Sequence, residues 1–321
     1  MSEKKSVKNK EMQWAVILWY IHLHVLGLYG FWFALTSAKW MTVFFTLLLT
    51  ILAYLGVTVG AHRFWTHRAF EAAWPLRLFL MLCHTIAGVG PIYDWVLYHR
   101  LHHKYYGTDK DPFNHKKGFL YSHFMANVLS WHMDYDEMIR LIDMRDVEQD
   151  GYVWFQKKFY WLLFGIFGIL LPVNAPLEYW DESLSGAIVI TGLLRFAITT
   201  NISWLVASSR LIWSLEGKKI PPDSISLFFI THSFWPAYHY MIPWDWKCGE
   251  YGTYDSGVAT FFIKMWNELG MVDYLRTSET EDIRDMLHQM AKKKLTLENG
   301  LNELEELSKY NAKKTRIIPR H

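Results

Sequence analysis

Long charge-free stretches recur along this chain, and they predict membrane-crossing helices. Residues 13–37 and 41–61 contain no Asp, Glu, Lys or Arg, and about 20 apolar residues suffice to cross a bilayer core as a helix. Two more apolar stretches, 159–177 and 184–206, complete four predicted spans in two hairpins, the last interrupted only by Arg195. A weaker run at 76–93 contains Arg77 and His84 and is followed by Asp94, which predicts a re-entrant or buried segment. The apolar part of the first run is too long for a cleaved secretory signal and no small-residue cleavage pattern follows it, so it is expected to stay as an anchor.

Composition agrees with this pattern: 51% of residues are hydrophobic and 17% aromatic, which argues against two soluble domains. Lys4, Lys5, Lys8 and Lys10 precede the first span. The turn after it offers only Lys39, and the turn between spans three and four carries Glu178, Asp181 and Glu182. The positive-inside rule then puts both termini in the cytosol, with 62–160 and everything beyond about Ser208 on the same side. The division that follows is a cytosolic tail at 1–12, a membrane domain at 13–276 and a polar cytosolic tail at 277–321. In that last tail Glu281, Arg284, Asp285 and His288 have helical spacing and read as a solvated face. With only Cys83 and Cys248 in the chain, a disulfide framework is excluded. Nucleic acid is not an expected partner, because the basic residues cluster at the two ends and at membrane boundaries.

The chemistry lies in the histidines. His62-Arg63-Phe64-Trp65-Thr66-His67 closes the second apolar run, and His99-Arg100-Leu101-His102-His103 follows the weaker one. If Trp95–Tyr105 is helical, His99, His102 and His103 stand at i, i+3 and i+4 on one face. His62 and His67 are five apart, well over a right angle on a straight α-helix, so that box needs its helix to bend or end. Thiolate-free imidazole ligation suits iron, zinc or copper. His22, His24 and His84 stand singly in apolar runs and read as hydrogen-bonded core or interface residues rather than ligands.

These residues carry a resemblance to the membrane acyl-CoA desaturases of the stearoyl-CoA type, above all those of insects. Gly60 through Arg68 resembles that family's first box. Asp94-Trp95 through Tyr105, with Thr108-Asp109-Lys110-Asp111-Pro112, resembles the second. Phe155 through Tyr160, Pro243-Trp244-Asp245-Trp246 and Glu250-Tyr251-Gly252 extend the likeness over roughly residues 13–276. The resemblance implies four helices under a helical cytosolic cap in the endoplasmic reticulum membrane. It also implies a di-iron centre on eight or nine histidines, a fatty acyl-CoA in an apolar tunnel, electrons from cytochrome b5, and a double bond introduced at the expense of O2.

Carried over residue by residue, the resemblance assigns His62, His67, His99, His102 and His103 as metal ligands. The third box, H-x-x-H-H, falls on Pro236-Ala237-Tyr238-His239-Tyr240, where only His239 remains. The N-S-x-x-H segment falls on Ala207-Ser208-Ser209-Arg210-Leu211. Neither Pro236 nor Leu211 can donate a lone pair to a metal, and Tyr240 could only as a phenolate; His232, four residues before Pro236, reads as a local hydrogen-bonding residue. On the substrate side Trp95 and Trp204 match tryptophans bordering the bend of the tunnel, Tyr54 is placed near its closed end, and Lys104, Lys157 and Lys158 stand where coenzyme A phosphates would bind. Leu97 occupies a position where the family usually has Arg. Three readings follow: an active desaturase with altered ligation, a catalytically inactive desaturase-fold protein that binds acyl-CoA or partners an active paralogue, and a single-metal protein.

Overall fold

The computed structural model describes residues 12–129, 135–209, 235–251 and 254–314. Lys4, Lys5, Lys8 and Lys10, on which the orientation rests, lie outside them. The protein is an all-α integral membrane protein. Its principal helices are α1 (Trp14–Thr36), α2 (Trp40–Thr66), α3 (Trp74–Ala87), α4 (Ile92–Tyr105), α5 (Phe119–His123), α6 (Gly151–Lys158), α7 (Tyr160–Trp180), α8 (Leu184–Ser208), α9 (Trp235–Met241), α10 (Val258–Glu268), α11 (Thr280–Ala291) and α12 (Leu297–Lys314). Helices α1, α2, α7 and α8 are long and apolar enough to span a bilayer. The weak run at 76–93 is broken: α3 ends at Ala87 and α4 begins at Ile92, each with 14 residues, short of a span by length. The break needs Gly88, whose φ is +71°, and a Cβ there would press on the rings of Phe164 and Phe196.

Contacts divide the chain into two units, Met1–Ala53 with Thr85–Ser208, and Tyr54–His84 with Ser209–His321. In the first unit α1 lies against α8 at unusually short range. A Cβ at Gly27 would come 2.9 Å from the Ala197 methyl, and one at Gly30 would run into the Val189 carbonyl. Small residues at such crossings let helix backbones approach where lipid gives no hydrophobic drive. Trp19, Leu28, Trp32, Trp161 and Leu162 stay exposed, as lipid-facing positions should. The two hairpin turns are tied to each other. Glu182 accepts from the Lys39 backbone N–H (2.9 Å) and the Thr42 hydroxyl (2.6 Å), and the Trp180 indole donates to Thr42 Oγ (2.8 Å).

Arg195, the one charge in the fourth run, is fully buried in α8. An ionisable side chain inside a membrane is costly unless its donors are satisfied. Here the guanidinium donates to the carbonyls of Thr191, Ile86 and Gly168. Thr191 and Gly168 belong to π-helical stretches, Ile188–Leu194 and Phe164–Leu170, where the ordinary i→i+4 ladder is interrupted.

In the second unit the chain leaving α2 forms a short antiparallel pair, β1 (Glu71–Ala72) with β2 (Val272–Asp273). Its core gathers Tyr238, Ile242, Trp244 and Cys248 with Ile283 and Met286 of α11 and Leu304 of α12. Helices α11 and α12 are therefore amphipathic: Glu281, Arg284, Asp285 and His288 face solvent, while Ile283 and Met286 are buried. The carboxylate of Asp245 accepts from the hydroxyls of Tyr238 (2.5 Å) and Tyr254 (3.1 Å) and from the Lys247 backbone N–H (3.0 Å).

Removing the Arg195 guanidinium leaves three buried carbonyls short of a donor. Arg195→Leu should cost about 3 kcal/mol, read as a Tm lowered by several degrees in detergent. Arg195→Lys should recover only part of the loss, since a compact ammonium cannot span the fork of contacts. An unchanged melt for both variants would contradict this role.

Candidate metal and acyl site

Box one is built by a change of helix type. From Gly56 to Thr66 α2 is π-helical, with hydrogen bonds from i+5 to i, and the last of these runs from the His67 N–H to the His62 carbonyl (3.1 Å). Residues five apart are nearly one turn apart in this geometry, so His62 and His67 share a face. The helix does not need to bend between the two histidines; it widens, and ends at the second. Their rings lie 4.7 Å apart, and His239 on α9 joins them with centroids 4.9 and 5.0 Å away. One nitrogen from each of the three lies within 4.8 Å of the others.

His62 is held by a carboxylate. Its Nδ1 faces Glu250 Oε1 at 3.0 Å, and the same Glu250 takes a two-pronged contact from Arg63, Nε at 2.6 Å and Nη2 at 3.0 Å. Arg63 Nη1 also donates to the Trp246 carbonyl and the Thr260 hydroxyl, each at 2.9 Å. Burial pushes the Glu250 carboxyl up, but the Arg63 charge and the His62 hydrogen bond outweigh it and hold it down to about 2. With Nδ1–H of His62 donated to Glu250, its Nε2 carries a lone pair, which faces His239 Nε2 at 3.3 Å. Two imidazoles sharing one ion stand at such a separation, given metal–nitrogen bonds of about 2.0–2.1 Å.

Helix α9 keeps His239 buried. Pro236 falls in its first turn, where a missing N–H is no loss, so a proline is compatible with the helix while offering no ligand. Tyr240 places its ring 5.5 Å from that of His239. Leu211, His232 and Gly252 lie outside the described residues.

The second box is assembled within the other unit. On α4, His99 and His103 bring their Nε2 atoms to 3.2 Å, and the His102 ring lies 5.9 Å from both. His102 Nδ1 meets Asp111 Oδ1 at 2.7 Å, with both residues buried. A carboxylate on Nδ1 fixes tautomer and ring orientation. Asp111 and Glu250 thus play matching parts, one for each box. Both stand in segments that carry the family likeness, yet nothing in the spacing of either acid marks it as the partner of a particular histidine.

A cavity of about 710 Å³ opens in the first unit, walled by Tyr20, Leu23, Trp95, Phe164, Phe196 and Trp204, with His99 at its edge. The volume lies in the usual range for small-molecule sites. Trp95 stacks on His99 (5.1 Å, 19°) and donates its indole N–H to Ser203 Oγ at 2.9 Å. The cavity lining does not include the remaining substrate-side residues. Tyr54 belongs to the other unit, its ring 6.2 Å from Tyr251. Lys104 donates to the Leu141 carbonyl, Lys157 lies over the Tyr93 ring and Lys158 beside Trp154; all three lysines are exposed. Leu97 is buried.

Comparison with known proteins places this all-α membrane chain in a family. The chain is 39% identical to the acyl-CoA Delta-9 desaturase of Acheta domesticus, over 84% of its own length and 76% of the relative. It is 36% identical to the acyl-CoA Delta-12 desaturase of Tribolium castaneum, over 88% and 80%. With stearoyl-CoA desaturase 4 of Mus musculus it shares 32% identity, over 81% and 74%. No family model matches. The chain belongs to the membrane acyl-CoA desaturases.

The Arg63–Glu250 pair should behave as a coupled buried ion pair. Arg63→Met and Glu250→Leu should each cost about 3–5 kcal/mol by stranding the partner charge, whereas the double variant should cost clearly less than their sum. Additive losses in a chemical-denaturation cycle would contradict it.

Proposed function

We propose that this protein is a fatty acyl-CoA-binding member of the desaturase family, resident in the endoplasmic reticulum membrane with both termini cytosolic, whose own desaturation is disabled. The observation that carries the reading is the contrast between its two halves. An apolar cavity with Trp95, Trp204 and His99 on its wall is present, while the third box is reduced to His239.

The residues of box one together with His239 fit one ion, while the family's pair falls short of donors at the third box. His62, His67 and His239 offer three converging imidazoles, a donor set suited to a divalent transition metal, and iron held there would supply a Lewis-acidic, redox-capable centre. A second fully ligated iron needs donors at 211, 236 and 240, and Leu, Pro and Tyr stand there. Support from Glu250 and Asp111 orients the histidines that remain, but an orienting carboxylate cannot replace a missing ligand. The chain's own residues then bind and bend an acyl chain without the paired centre on which O2 activation at an unactivated C–H bond depends. A role beside an active paralogue suits a protein of this kind.

The second reading, an active desaturase drawing electrons from cytochrome b5, is favoured by relatives that are named as desaturases at 32–39% identity. Complementation separates the two. Expressed in cells that lack their own delta-9 desaturase, the chain should not restore growth without added unsaturated fatty acid, whatever its level. Growth, with new unsaturated acyl chains detected in the lipids, would overturn the proposal.

A further inference from the structure

The first unit holds a partly buried polar chain that neither the metal ligands nor the acyl cavity uses directly. His24 on α1 sets Nδ1 at 2.7 Å from the Tyr20 carbonyl, so Nδ1 carries the proton and Nε2 accepts. The acceptor is met by the Asn201 amide at 2.9 Å, and that amide also donates to the Ala197 carbonyl at 2.8 Å. Asn201 Oδ1 must then accept, and it faces His123 Nε2 at 3.0 Å. His123 Nδ1 lies 2.8 Å from the Ser208 hydroxyl, which is itself 3.0 Å from the Trp204 carbonyl. The tautomers follow from the partners; the single Ser208 proton is shared between His123 Nδ1 and the Trp204 carbonyl, and a connected polar network of this kind rigidifies its surroundings.

The chain encloses one ring. Trp204 is stacked on His24 (5.9 Å, 24°) and met edge-on by His123 (5.5 Å, 86°), Tyr20 (4.8 Å, 72°) and Phe124 (5.9 Å, 82°). Asn201 and Ser208 flank Trp204 on α8 at three and four residues' distance, so both ends of the chain grip the same stretch of helix. The indole in turn forms part of the cavity wall.

We infer that His123, with Asn201 and His24, is a positioning residue that fixes the Trp204 indole and thereby sets which acyl shapes the cavity accepts. The inference rests on the acyl-CoA reading of the cavity. A clamped indole presents a wall of one shape, and a straight and a bent chain meet it differently. Once the hydrogen bonds that hold its neighbouring rings are gone, the indole can turn and the cavity adapts to either.

The test compares stearoyl-CoA with oleoyl-CoA, which carries a cis bend, for binding to the full chain in detergent. His123→Phe keeps the ring shape and loses the hydrogen bonds, and Asn201→Ala cuts the chain at its middle. In both, the ratio of the two affinities should move at least fivefold toward one, while His123→Gln, which can still donate to Asn201, should stay within twofold of wild type. Trp204→Ala should abolish the discrimination. An unchanged ratio in His123→Phe and Asn201→Ala, with Trp204→Ala altered, would overturn the positioning role while leaving the acyl reading in place. Failure of wild type to bind either acyl-CoA would instead overturn the acyl reading. Asn201→Ala carries the test by itself if His123→Phe does not accumulate.

Discussion

The wide turn of α2 between Gly56 and Thr66 is the constraint on which the unit carrying the first histidine box depends. An α-helical continuation would put His62 and His67 well over a right angle apart. The π geometry puts them on one face and aims Arg63, between them, at Glu250. One local change of helix type thus creates the ligand face and the buried ion pair that braces it. Glu250 in turn grips His62 and Arg63 together, so the carboxylate ties the exit of the second span to the segment that follows the third-box helix.

The same unit explains how a degraded box can persist as structure. Helix α9 does not rely on a metal for its position: Tyr238 is anchored on Asp245, and Ile242 and Trp244 pack with Ile283, Met286 and Leu304. Loss of the flanking histidines removes ligands without removing the core around the one that remains. Such a chain stays folded with fewer imidazoles at its third box.

Much of this was legible in the sequence. Charge-free runs locate α1, α2, α7 and α8 to within a few residues, because membrane helices are written in hydropathy. The i, i+3, i+4 pattern of His99, His102 and His103 places them on one helix face, as found. The π turn was not legible, since its residues differ in no systematic way from those of an α-helix. Asp111 and Glu250 could be quoted as parts of motifs but not assigned to histidines, because the pairing of Glu250 with His62 spans 188 positions. Helices α11 and α12 read as polar from their charged faces; the narrow stripe of Ile283, Met286 and Leu304 that packs into the core is too sparse to stand out among so many Glu and Lys. Tyr54 is placed near a tunnel end by helical rise alone, which gives depth and not direction, so its neighbour Tyr251 was not legible.

The central claim is that the ligand set supports one ion where the family pattern calls for two. Metal content per chain, measured by mass spectrometry on detergent-purified protein after iron supplementation, tests it most directly, with His102→Ala and a triple restoration, Leu211→His with Pro236→His and Tyr240→His, measured beside wild type. The account predicts about one ion or fewer in wild type and a rise toward two in the restored chain. Two tightly held irons in wild type would contradict it.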